Sequence, residues 1–170
     1  MNHVITSAED GLHRPSPVAV AVGALVVMRL MLAAWVGAAV LFVLTSVAEQ
    51  MFTEFNSTVR DQLATIRFPL YYATGITCCT LTLAAGVLCR SLSRRLTAAL
   101  VLATLAGIVF GLDYWFVYRP LQELIIPAGQ PRTEQFTQLH TWSRNVNALH
   151  LLLVLTAAVQ AALPLTCGKR

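Results

Sequence analysis

The polar side chains that could do chemistry in this chain gather near its C-terminus, in Leu139-His140-Thr141-Trp142-Ser143-Arg144-Asn145-Val146-Asn147-Ala148-Leu149-His150. Read as a helix at about 100° per residue, His140, Ser143, Arg144 and Asn147 fall on one face, with His150 at its edge. The residues that follow, 151–165, are almost all apolar. A polar stripe on the threshold of a membrane helix is costly unless the protein interior satisfies it. Imidazole, hydroxyl, guanidinium and amide on one face could hold a small ligand, relay a proton or bind an ion. The same groups could instead form a polar clasp that fixes helix register. No Ser/His/Asp or Cys/His arrangement, phosphate loop or zincin motif accompanies them, so no nucleophile is named and no enzyme is expected.

Haem is the one cofactor these residues raise. His140 and His150 lie on the same helix, about 15 Å apart, and cannot both ligate one iron axially. A single-His haem, or one shared with a partner subunit, is the lesser alternative; the expectation is no cofactor. The cysteines are Cys78, Cys79, Cys89 and Cys167. They form no CxxC or Cys/His cluster, so no metal site is expected. Cys78 and Cys79 sit inside an apolar run, where a thiol packs as a small hydrophobe.

The elements that position this stripe are read from hydropathy. The 170 residues are 56% hydrophobic and 12% charged, about half the charged fraction of a soluble domain, and the mean hydropathy is +0.66. A spanning helix takes roughly 20 apolar residues. Four runs qualify, at about 25–48, 69–88, 96–118 and 140–166, which predicts an all-α, polytopic four-helix transmembrane bundle. Residues 1–17 read as a flexible tail, 18–167 as one domain and 168–170 as a basic tail. Arg29 interrupts the first apolar run and is expected to snorkel to the interface. Gly23, Ala33, Ala34, Gly37, Ala38 and Ala39 would let a neighbouring helix approach closely. Ser46-Val47-Ala48 resembles a signal-peptidase site, but the preceding segment is long for a leader and the run is long enough to span. Residues 49–67 are amphipathic and read as an interfacial helix or as extensions of spans one and two. Pro69 is placed at the start of span two. Leu124-Ile125-Ile126, in the longest loop, is apolar enough to dip back against the bundle.

The net charge of +4 comes from cations scattered near helix ends. They form no basic stripe interleaved with aromatics, so nucleic acid is not an expected partner. Arg14, Arg90, Arg94, Arg95, Lys169 and Arg170 share one side. Arg60, Arg67, Arg119, Arg132 and Arg144 share the other, with most of the acids. The compact Arg90–Arg95 turn favours both termini in the cytoplasm. That topology brings His140, Ser143, Arg144 and Asn147 to the depth of Asp113, Arg67, Tyr71 and Glu49. Asp113 with Arg144 or Arg67 is the natural ion pair, because an unpaired charge at that depth is costly. His140, Arg144 and Asn147 are expected to face into the bundle.

Several short pieces carry a resemblance: Trp35-Val36-Gly37 with Phe42, Phe68-Pro69-Leu70-Tyr71-Tyr72, Tyr118 with Pro120, and Phe136-Thr137-Gln138-Leu139-His140 with Ser143 and Asn147. In these the chain resembles the transmembrane protein 205-like family of small four-helix membrane proteins, whose bacterial members are largely domains of unknown function. Trp142 and Arg144 depart from its pattern. The resemblance implies a four-span bundle and equates His140 and Asn147 with the family's polar positions; it implies no catalytic activity. The small-residue faces and the lack of a catalytic motif point to a non-catalytic module of a bacterial inner membrane, an accessory subunit or homo-oligomer packing against partners in the bilayer; the resemblance leaves the function open. The alternative is a small transporter-like or ligand-binding protein that uses the polar layer.

Overall fold

The computed structural model describes residues 16–165. Most of the expected N-terminal tail, Cys167 and the basic 168–170 segment lie outside the described residues. The elements are α1 (Pro17–Met51), α2 (Ser57–Cys89), a 3-10 turn (Arg90–Leu92), α3 (Arg94–Asp113), a π-helical turn (Tyr114–Tyr118), α4 (Arg119–Glu123) and α5 (Glu134–Ala162). The π turn joins α3 and α4 into one continuous rod. Four helices are long and apolar enough to cross a membrane, and the protein is an all-α four-helix bundle.

The helices begin earlier than hydropathy alone suggests, because their caps lie outside the apolar runs. Ser16 caps α1 by accepting from the Ala19 amide at 3.2 Å, with Pro17 in the first turn. Proline there costs nothing, since its missing N–H would be unpaired anyway. Asn56 caps α2 by accepting from Val59 N at 2.9 Å, so the helix starts three turns before Pro69. Pro69 therefore sits inside α2 and not at its start, a position that membrane helices tolerate. The amphipathic 49–67 segment takes the second of its two readings. It is an extension of α1, a short turn, and an extension of α2. Thr133 caps α5 by accepting from Phe136 N at 3.1 Å.

Each helix buries a seam at alternating spacings of three and four. On α1 it is Leu25, Met28, Leu32, Trp35 and Ala39; on α2, Tyr71, Gly75, Cys78, Thr82, Ala85 and Cys89. On α3 it is Leu96, Ala99, Ala103, Ala106, Phe110 and Asp113; on α5, His150, Val154, Ala157 and Ala161. That period of 3.5 keeps one stripe of each helix against its neighbours along a left-handed bundle. α1 lies mainly against α2 and α3 against α5, and contacts of α1 with α5 and of α2 with α3 close the ring. Alanine and glycine dominate the lower seams and let the backbones come close. Large rings fill the upper half, where Trp35, Tyr71, Tyr72, Phe110 and His150 pack edge-on, tilted or stacked at 4.9–5.8 Å between centroids. Gly75 is a glycine for space: a Cβ there would overlap Trp35 Cη2 and Phe110 Cζ.

Two polar clasps fix the ends. Arg29 donates from Nε to Ala161 O at 2.7 Å and from Nη2 to Leu163 O at 3.5 Å. It covers carbonyls that the end of α5 leaves without helical partners, and sets a cation at that helix's negative pole. At the other end Asp61, 1% exposed, accepts from Gly129 N at 2.8 Å and pairs with Arg132. This anchors the α4–α5 loop on α2. Gly129 has φ +87°, and a Cβ on it would collide with Thr58 Oγ1, so glycine is required twice over. Of the apolar Leu124-Ile125-Ile126 segment, Ile125 is buried, Leu124 is half-buried and Ile126 is exposed, while Leu121 of α4 is buried nearby.

Candidate functional site

The bundle's interior polar groups lie in its upper half, and each reaches across from its own helix. Trp35 on α1 donates from its indole Nε1 to His150 Nε2 on α5 at 2.7 Å. An indole can only donate, so His150 Nε2 is the unprotonated nitrogen. Nδ1 then carries the hydrogen and donates to Ala106 O on α3 at 3.0 Å. One imidazole thus ties three helices and links α1 to α3, which stand diagonally across the bundle. Tyr71 on α2 donates to Asn147 Oδ1 on α5 at 2.8 Å and bridges the other diagonal. Tyr72, next along α2, donates to Asp113 Oδ2 on α3. Adjacent tyrosines differ by about 100° around the helix, so one pair of residues serves two neighbours.

The geometry separates the sequence-predicted residues into three groups. Tyr71, Asn147, Asp113 and His150 belong to the interior network. Asn147 is half-buried, and its amide finds the partner within the bundle that its depth demands. Arg67 stands apart. It pairs with Glu49 of α1 and lies over the Phe42 and Phe68 rings at 5.1 and 5.8 Å. His140 and Arg144 are exposed and Ser143 is half-buried. His140 stacks on Phe136 at 5.8 Å, and the Arg132 guanidinium lies 4.2 Å from the Phe136 ring.

The inward-facing stripe is therefore corrected for His140 and Arg144, and no Asp113–Arg144 or Asp113–Arg67 pair forms. Among the described residues the ion pairs are Arg67–Glu49 and Arg132–Asp61. The physical reason lies in α5 itself: between Glu134 and Leu149 it has no fully buried residue. Neighbouring helices cover that end only in part, and long or exposed side chains there satisfy themselves outside. Asp113 takes a neutral hydroxyl partner instead of a cation. Its second oxygen, Oδ1, is buried without a partner.

The haem alternative meets a geometric obstacle. Both nitrogens of His150 are engaged within the bundle, so ligating iron would break one of these bonds. His140 is on the outside. Among the described residues no group of three His, Cys, Asp or Glu side chains is placed to hold a metal ion. Cys78 and Cys89 are buried, and Cys89 Sγ rests 3.7 Å from Met28 Sδ.

No protein-family model, curated protein or solved structure matches this chain. Its chemistry is therefore read from the geometry alone. A small cavity of about 10 Å³ adjoins the network, lined by Leu32, Trp35, Cys78, Thr82, Ala106 and Val154 among others. A single water needs about that much. A second concavity, of about 360 Å³, lies on the flank between α1 and α2. Sequence reasoning missed Trp35, Tyr72 and Asp61 as polar partners. Trp35 did carry a signal: a lone indole deep in an apolar helix needs an acceptor for its N–H.

Proposed function

We propose that this chain is a non-catalytic, multi-pass membrane module that packs against partner proteins within a larger membrane assembly. The observation that carries this reading is the closed interior. Trp35, His150, Tyr71, Asn147, Tyr72 and Asp113 are bonded to one another or to backbone, beside a void fit for one water at most. A substrate path or central ligand site needs polar groups facing open volume, commonly about 300–1,000 Å³. The outer surface offers places to pack instead. Gly107 and Gly111 are a GxxxG pair on α3, and Gly23 and Gly37 lie on α1; all four have open space where a Cβ would stand. Such faces admit another helix closely. The kinship with transmembrane protein 205-like proteins is part of this proposal. It is supported by two of the resembling pieces meeting at the Tyr71–Asn147 bond.

The membrane is the bacterial inner membrane in this reading, with Ser16, the Arg90–Arg95 turn and the end of α5 toward the cytoplasm. A Leu92→Cys variant in a background free of other cysteines tests the orientation. Labelling from the cytoplasmic side only is expected, and labelling from the periplasm contradicts it. Two observations favour the ligand-binding alternative: the unpartnered Asp113 Oδ1 and the flank concavity of about 360 Å³, which Arg67, Glu49 and Tyr71 line. Extraction in mild detergent followed by native mass analysis separates the two readings. A stoichiometric protein partner or a defined homo-oligomer is expected, without a haem absorption band. A monodisperse monomer with no co-purifying protein counts against the module.

A further inference from the structure

The flank between α1 and α2 carries a groove that borders the interior network at Tyr71. Its walls are Ala38, Leu41, Phe42, Thr45 and Glu49 of α1 with Arg67, Leu70, Tyr71 and Thr74 of α2, and it encloses about 360 Å³. The α1 residues recur at spacings of three and four, so they form one face of that helix. We propose that this groove seats one zwitterionic phospholipid from the surrounding bilayer, with its phosphate on Arg67, its ammonium on Glu49 and an acyl chain along Leu41, Phe42 and Leu70.

Three features fit that occupant. The first is length. From Ala38 to Glu49 the groove follows α1 for about 16 Å at the rise of a helix. One leaflet of a bilayer contributes about 15 Å of hydrocarbon, half of the usual core thickness. The groove is thus one acyl chain long, with both charges at one end and apolar walls below them. The second is access. Leu41 and Leu70 on its rims are 63% and 65% exposed, so it opens sideways to lipid.

The third is charge. Arg67 and Glu49 both line the groove with about a fifth of each side chain exposed. Arg67 Nη1 is taken up by its pair with Glu49 Oε2, while Nε is shielded and has no hydrogen-bond acceptor. The guanidinium is held in place by Phe42 and Phe68 and carries more donors than the protein satisfies. Phosphate oxygens are strong acceptors for such a donor. A headgroup carrying both signs meets both partners, whereas a purely anionic one gains Arg67 but opposes Glu49.

The test uses the full chain in nanodiscs of phosphatidylethanolamine, of phosphatidylglycerol, or of an equal mixture, released and analysed by native mass spectrometry. One retained phosphatidylethanolamine per protein is expected from the mixture, with at least ten-fold preference over phosphatidylglycerol. Arg67→Gln and Glu49→Gln should each abolish that preference. Leu41→Trp fills the apolar part without touching the charges and should expel the lipid while leaving the helical circular dichroism unchanged, which keeps the test decisive if a charge variant fails to fold. Absence of bound lipid, tighter retention of phosphatidylglycerol, a second protein chain in the groove, or unchanged retention in Leu41→Trp overturns the proposal.

Discussion

Replacing Trp35 by Phe removes one hydrogen-bond donor from the centre of the bundle and leaves most of the ring in place. His150 Nε2, which accepts that bond at 2.7 Å, is then left unpaired in a residue only 1% exposed. An orphaned buried acceptor costs about 1–3 kcal/mol. The smaller ring also vacates the space beside Gly75, which adds about 1 kcal/mol on the scale of a removed methyl group. His150→Leu should cost a similar amount, because the Trp35 N–H then has no acceptor. If the bond itself stabilises the bundle, the double variant recovers part of the sum. Side-chain bonds in membrane helices couple by about 0.6 kcal/mol on average and by up to about 1.7. The upper half of that range is expected here, because both partners are fully buried. The assay is SDS-induced unfolding in mixed micelles, read by helicity, for the wild type, both single variants and the double. Losses that add to within about 0.3–0.5 kcal/mol would show that the two residues do not interact and would refute the reasoning.

Two further outcomes follow from the same geometry. Gly75→Ala drives a methyl group into Trp35 and Phe110 and should destabilise the bundle by about 1–3 kcal/mol, an overpacking penalty measurable in the same titration. Asp61→Asn removes the charge that holds Arg132 and weakens the anchor of Gly129, so amide exchange in 124–133 should accelerate while exchange in the α1 and α3 seams stays slow; unchanged exchange in that loop would show that the clasp does not hold it.

Hydropathy exposed the fold because the physics of spanning is coarse: about 20 apolar residues in a row suffice. The ends were less legible. Ser16, Asn56 and Thr133 cap helices from polar stretches that hydropathy assigns to loops, so each helix begins earlier than its apolar run. The polar site was legible only in part. Angular position alone groups His140, Arg144 and Asn147, but burial depends on what the neighbouring helices cover, and coverage ends near Asn147. Charge complementarity suggested a cation for Asp113; a tyrosine hydroxyl on the adjacent helix was nearer. The Tyr71–Asn147 and Trp35–His150 bonds join residues 76 and 115 positions apart, and no local pattern announces such pairings.

The central claim is that the interior is closed to water and that whatever the protein engages meets its outer surface. Cys78 reports on this directly, since it lines the interior cavity beside Trp35 and Thr82 and is 7% exposed. In a variant that keeps only this cysteine, a charged, water-soluble methanethiosulfonate reagent applied to both faces of the membrane is expected to leave Cys78 unmodified until the bundle is unfolded. Rapid modification in the native protein would mean that water reaches the network from one side, and would contradict the closed interior.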